Sequence, residues 1–142
     1  MQNFENFIKF LSVSPSSGLI IKDNEISQKT INKKLLDFKF KSICLNINHL
    51  SDEKDFWQKI EEAIEKKMWL ILDIEQDIPA WLYQQLRALS GNGHLYKYQA
   101  SQEMNLTDTP TRILALISDN DLEKSVFNNL ISCFGIVFRN KK

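Results

Sequence analysis

With 18 basic and 18 acidic side chains in 142 residues, the chain has no formal net charge and so no global field to draw it to nucleic acid or to an anionic membrane. The length suits one domain, residues 1–142, whose core needs neither a disulfide nor a metal; the two cysteines, Cys44 and Cys133, sit in apolar surroundings, as buried thiols of a reducing compartment do. No stretch approaches the roughly 18 uninterrupted apolar residues of a membrane span, and the opening MQNFENFIKF has neither a basic start nor a long apolar run, so a cytoplasmic protein is expected.

Phe4, Phe7, Ile8 and Leu11 recur at the spacing of one helical face and predict a short amphipathic helix over 3–11, which Ser14-Pro15-Ser16-Ser17-Gly18 breaks. Gly18-Leu19-Ile20-Ile21 suits a first strand. The polar stretch Lys22 to Thr30 then leads into a helix carrying Ile31, Leu35 and Leu36. Ser42 to Asn48 is the second strand. Ser51-Asp52-Glu53 caps a helix whose inner face holds Phe56, Ile60, Ala63 and Ile64, while Glu61, Glu62, Glu65, Lys66 and Lys67 form its solvated side.

The next stretch, KMWLILDIEQDIP (Lys67 to Pro79), organises the chain. Met68 to Leu72 are large and apolar without alternation, which fits a strand covered by helices on both faces. Asp73 follows at its carboxyl end, the edge of an open α/β sheet where ligands bind. Pro79 opens a helix lined by Leu82, Leu86 and Leu89 and ended by Ser90-Gly91-Asn92-Gly93. His94 to Tyr98 reads as a short strand and Thr107-Asp108-Thr109-Pro110 as a turn. Arg112 to Ser118 is a fourth apolar strand; Asp119 to Asp121 caps a helix bearing Leu122, Val126 and Leu130; Ile136-Val137-Phe138 is a fifth strand, before a solvated basic tail, Arg139 to Lys142. Strands alternating with helices predict an α/β fold, a three-layer α/β/α sandwich around a mainly parallel five-stranded sheet.

In order and spacing these segments resemble the AAA+ P-loop ATPase core, in the branch of the enhancer-binding activators and MoxR-like proteins, from about Leu19 to Phe138. LILDIEQDIPAWLYQQLRALSGNGHLYKY is similar to that family's Walker B strand, helix and hairpin, RILALISDNDL to its sensor-1 strand, and CLNINHLS to its second core strand. The resemblance implies residual nucleotide-site positions at Lys29, Thr30, Asp73 and Ser118.

The departures from that pattern are chemical. A phosphate loop, G-x-x-x-x-G-K-[ST], uses glycines so that backbone N–H groups can close around phosphates. The corresponding residues, Asp23-Asn24-Glu25-Ile26-Ser27-Gln28-Lys29-Thr30, keep Lys29 and Thr30 but neither glycine, and add two acids. After Asp73 the water-activating glutamate of the family is replaced by Ile74, which cannot orient or deprotonate water; Glu75 comes one residue late and on an extended strand points to the opposite face. The polar residue of sensor 1 falls on Ser118, or on Asn120 if the turn is longer, and Phe127 to Cys133, where the family carries arginine fingers, has no arginine. No GAFTGA-like loop precedes Phe56, and no lid domain or helix-turn-helix is expected after Lys142.

Elsewhere, His49, His94, Cys44 and Cys133 lack the paired spacing of a zinc site, and no G-x-S-x-G elbow is present. Of the aromatics that offer a stacking surface, Trp57, Trp69, Trp81, Tyr83, Tyr96 and Tyr98, the first two fall within apolar elements and are expected in the core; in a neutral chain, nucleic-acid binding is not expected. Trp81 and Tyr83, where a helix opens, suit exposed anchors of a protein interface. Together these readings lead to a degenerate AAA+-like module without catalysis, metal or cofactor. It is expected to act through contacts with itself, an AAA+ relative or another protein, regulation of transcription being one such use. The alternative is an unconventional NTPase that binds ATP and magnesium through Lys29, Thr30 and Asp73, with Glu75 or a partner completing the site.

Overall fold

The apolar runs Leu19–Ile21, Trp69–Leu72 and Ile113–Ile117 are buried along their whole length, because each is a central strand whose alternate residues enter two different cores. A computed structural model describes residues 2–13, 17–23, 25–48, 51–74, 78–92, 94–97, 102–105, 109–118, 134 and 136–139. The elements are α1 (Gln2–Val13), β1 (Gly18–Lys22), α2 (Gln28–Asp37), β2 (Ser42–Ile47), α3 (Glu53–Glu65), β3 (Trp69–Ile74), α4 (Ala80–Asn92), β4 (His94–Lys97), β5 (Gln102–Asn105), β6 (Ile113–Ser118) and β7 (Ile136–Phe138). Five strands form one all-parallel sheet in the order β2-β3-β6-β1-β7. This is the expected α/β class and sheet. The short strand at 94–97 pairs antiparallel with β5 in a separate hairpin; the polar sequence of β5, QEMN, carries no strand signal of its own.

Chain direction decides which helix covers which face. From β1 the chain crosses through α2 to β2 at the far edge, then steps back through β3 to β6 by way of α3 and α4. Parallel crossovers are right-handed, so opposite directions place the connecting helices on opposite faces. Leu19, Ile21, Leu70, Leu72, Ile113 and Ala115 accordingly pack with Phe56, Ile60 and Ala63 of α3 and with Leu82 and Leu86 of α4. Ile20, Trp69, Ile71, Leu114 and Leu116 pack with Phe4, Ile8 and Leu11 of α1 and with Ile31 and Leu35 of α2. Trp57 and Trp69 are core residues as expected, whereas Leu36 turns outward and is 52% exposed. Among the described residues no helix is long and apolar enough to cross a membrane.

Two local devices seat α1. Gly18 lies beneath it, and a Cβ there would stand 2.9 Å from both Leu11 Cδ2 and Phe7 Cζ and 3.2 Å from Leu114 Cδ2. Arg112 is buried at the start of β6 and its guanidinium donates to the carbonyl oxygens of Leu11 (3.1 Å) and Ser12 (3.4 Å), which the end of α1 leaves without helical partners, and to those of Thr109 and Thr111. Burial pulls the Arg112 pKa below its ordinary value, yet arginine remains charged at any working pH. We expect Gly18→Ala to lower stability by about 1–3 kcal/mol through overpacking. Arg112→Met should cost about 2–3 kcal/mol by orphaning several carbonyls. Urea denaturation of both variants measures these losses.

Candidate functional site

Because the strands are parallel, their polar carboxyl ends collect at one edge of the sheet. Asp73 of β3 and Ile20 of β1 flank Leu116 of β6 from its two sides, and Lys22 stands opposite Ser118. Alternation puts Lys22 on the same face as Ile20, from where its side chain reaches back over β6. Lys22 Nζ lies 2.5 Å from Asp73 Oδ1, a charge-assisted hydrogen bond between side chains 23% and 13% exposed. The pair sits where β1 sends the chain toward one face through α2 and β3 sends it toward the other through α4, the kind of crevice in which α/β proteins hold ligands.

The turn from β1 into α2 is closed by its own side chains. The Asp23 carboxylate accepts from the N–H groups of Glu25 and Ile26, each at 2.8 Å, and the Asp23 N–H donates to the Ile26 carbonyl oxygen at 3.2 Å. Ile26 is 1% exposed and belongs to the core under α1 and α2. Ser27 caps α2 by accepting from the Thr30 N–H at 3.4 Å; the Thr30 hydroxyl lies 3.2 Å from Ser27 Oγ and donates to the Glu25 carbonyl oxygen at 3.4 Å. The N–H groups of Glu25, Ile26 and Thr30 are thus engaged within the turn. Lys29 projects from the exposed side of the helix.

A groove of about 120 Å³ runs beside this helix start, lined by Gln28, Lys29 and Asn32 of α2, by Ser42, Ile43 and Cys44 of β2, and by Ile71. Gln28 Nε2 donates to Cys44 Sγ across it. Cys44 is half-buried, more open than its apolar sequence context suggests, because β2 is an edge strand. Burial first, and then the Asp73 charge, push its pKa up to about 11, so the thiol is protonated and a poor nucleophile at neutral pH.

Of the residues singled out from the sequence, Asp73 and Ser118 lie at the carboxyl edge of the sheet, and Lys29 and Thr30 lie in the first turn of α2, which the chain enters from the carboxyl end of β1. Trp81 and Tyr83 are partly buried against the core beneath α3 and α4, with the Trp81 ring 5.4 Å from that of Phe56, and each keeps part of its surface exposed. His49, Glu75, Tyr98, Asn120 and 127–133 lie outside the described residues, as do the side chains of His94 and Tyr96. Among the described residues no group of His, Cys, Asp and Glu could hold a metal ion. Sequence reasoning missed Lys22 and Gln28. The signal for Lys22 was its place as the first polar residue after an apolar strand, but its partner, 51 residues away, follows only from strand order.

No protein-family model matches the chain, and no curated protein matches it either.

We expect a double-mutant cycle of Lys22→Ala and Asp73→Ala, read by urea denaturation, to give a coupling of about 1–3 kcal/mol, the range for a hydrogen-bonded charge pair shielded from water. In a Cys133→Ser background, alkylation of Cys44 by iodoacetamide should rise with a midpoint near pH 11, against about 8.5 for a free cysteine.

Proposed function

We propose that the chain is a non-catalytic α/β scaffold of degenerate AAA+ character that works through protein contacts in a cytoplasmic setting. The observation that carries this reading is the occupation of both halves of the would-be nucleotide site by the protein's own groups. Asp73, the position suited to a magnesium-bound phosphate, is neutralised by Lys22 at 2.5 Å. The turn that would have to wrap phosphates is filled by Ile26, and three of its N–H groups, those of Glu25, Ile26 and Thr30, are taken by Asp23 and Ser27. A cation at Asp73 has to displace an ammonium group, and an anion at the turn has to meet the Asp23 carboxylate. The all-parallel sheet with helices on both faces supports the lineage, and the free thiol of Cys44 fits a reducing compartment. Regulation of transcription through an AAA+ relative is one use such a scaffold would have.

A second reading, weak ATP binding through Lys29, Thr30, Asp73 and Ser118, draws on one observation. A carboxylate, a hydroxyl and a lysine do meet at the carboxyl edge, although the lysine is Lys22. Thermal melts with magnesium and ATP separate the two. A ligand at a hundred times its Kd adds about 2.7 kcal/mol to a folded state, which would move Tm by several degrees. We expect no such shift, and phosphate release no greater than in a Lys29→Ala control; turnover that depends on Lys29 would overturn the scaffold reading.

A further inference from the structure

We propose that the outer edge of β2 is a pairing surface for a second copy of this chain, the two β2 strands meeting antiparallel about a two-fold axis so that one sheet continues into the other. This deepens the scaffold reading, on which it rests for the biological use of the contact.

The two edges of the sheet are built differently. β7 is three residues long and is followed directly by Arg139, which blunts it as a template. β2 pairs in unbroken register with β3 over all six of its residues, SICLNI, and contains no charge, proline or glycine. Among the described residues no strand pairs with its other side. A straight, uncharged edge of this length offers a row of backbone donors and acceptors, and natural sheets guard such rows unless they use them.

Charge selects the occupant and its direction. Exposed Lys39 and Lys41 stand at the amino end of β2, while just beyond its carboxyl end stand exposed Asp52 at the N-cap of α3 and Glu53 and exposed Asp55 in its first turn, three acids against the single Lys54 among them. Antiparallel pairing of two copies brings each basic end against an acidic one, and parallel pairing would oppose like charges. A two-fold axis normal to the sheet also keeps each face on its own side. Lys41 has the parity of Ile43 and Leu45, which pack on the face covered by α3, so lysine and acids meet on that face. The contact is self-complementary, as a two-fold interface must be. It would cover what remains exposed of the partly buried Ile43 and Leu45, and the groove between α2 and β2 has room for a side chain of the incoming strand.

The test is the molar mass of the intact chain by size-exclusion chromatography with light scattering over a wide concentration range. We expect it to climb from 16.6 kDa toward twice that value as concentration rises. Asn46→Lys, at a position already exposed in the monomer, places a charge on the edge strand and should raise the dimer Kd by about tenfold or more. Lys41→Glu should weaken the dimer, and Lys41→Glu combined with Asp55→Lys should restore it. Circular dichroism of dilute samples verifies that each variant is folded. A monomer at every concentration, or a dimer indifferent to Asn46→Lys, would overturn the pairing and leave the scaffold reading standing; failure of the charge swap to restore the dimer would overturn the antiparallel geometry. ATP turnover would overturn the scaffold reading and leave the dimer result intact.

Discussion

The rest of the structure depends on a parallel sheet that has to be kept dry on both faces. Parallel strands cannot be joined by tight turns, so each needs a crossover, and the helices that make the crossovers are also what buries the sheet. The chain meets this with apolar runs in β1, β3 and β6 and with amphipathic helices carrying Ile31 and Leu35, Phe56 and Ile60, or Leu82 and Leu86 on their inner sides. Aromatic contacts close the margins of one face: Phe40 stacks on Trp69 at 4.6 Å, and Phe4 meets Phe138 edge-on at 5.1 Å. Gly18 and Arg112 matter because they let α1 lie directly on that face.

One consequence is that polar groups at the strand ends are forced together where the apolar layer stops. Lys22 and Asp73 meet there, partly shielded, and an unpaired charge in that place would forfeit much of its hydration. Pairing settles the electrostatics locally and leaves less for a ligand to do. The adjoining turn is settled in the same way, since Asp23 and Ser27 supply the acceptors that a bound anion would otherwise provide and Ile26 takes up the space. A nucleotide site needs open donors and an uncommitted carboxylate; here Lys22 holds Asp73, and the N–H groups of Glu25, Ile26 and Thr30 are already engaged.

The same topology leaves β2 at the margin. The long crossover from β1 carries the chain to the far side of the sheet, so that among the described residues β2 has one paired side, and its half-covered Cys44 and the groove beside it follow from that position. The centre of the sheet serves stability, and its β2 margin is where backbone groups and apolar side chains meet water together.

By itself the sequence determined what depends on neighbours a few residues away. The strand runs are legible because a doubly buried strand has no polar face, the helices because Phe4, Phe7, Ile8 and Leu11 or Phe56, Ile60 and Ala63 repeat at helical spacing, and the start of α3 because Asp52 can reach the N–H of Lys54. It also determined that the glycines of a phosphate loop are missing. Only the tertiary structure decided that Asp73 belongs to Lys22 rather than Lys29, that β2 is an edge, that Trp81 and Tyr83 lean on the core, and that QEMN pairs with HLYK. Those outcomes depend on the order and register of strands far apart in the chain, and an apolar run marks itself as a strand without naming the strand beside it.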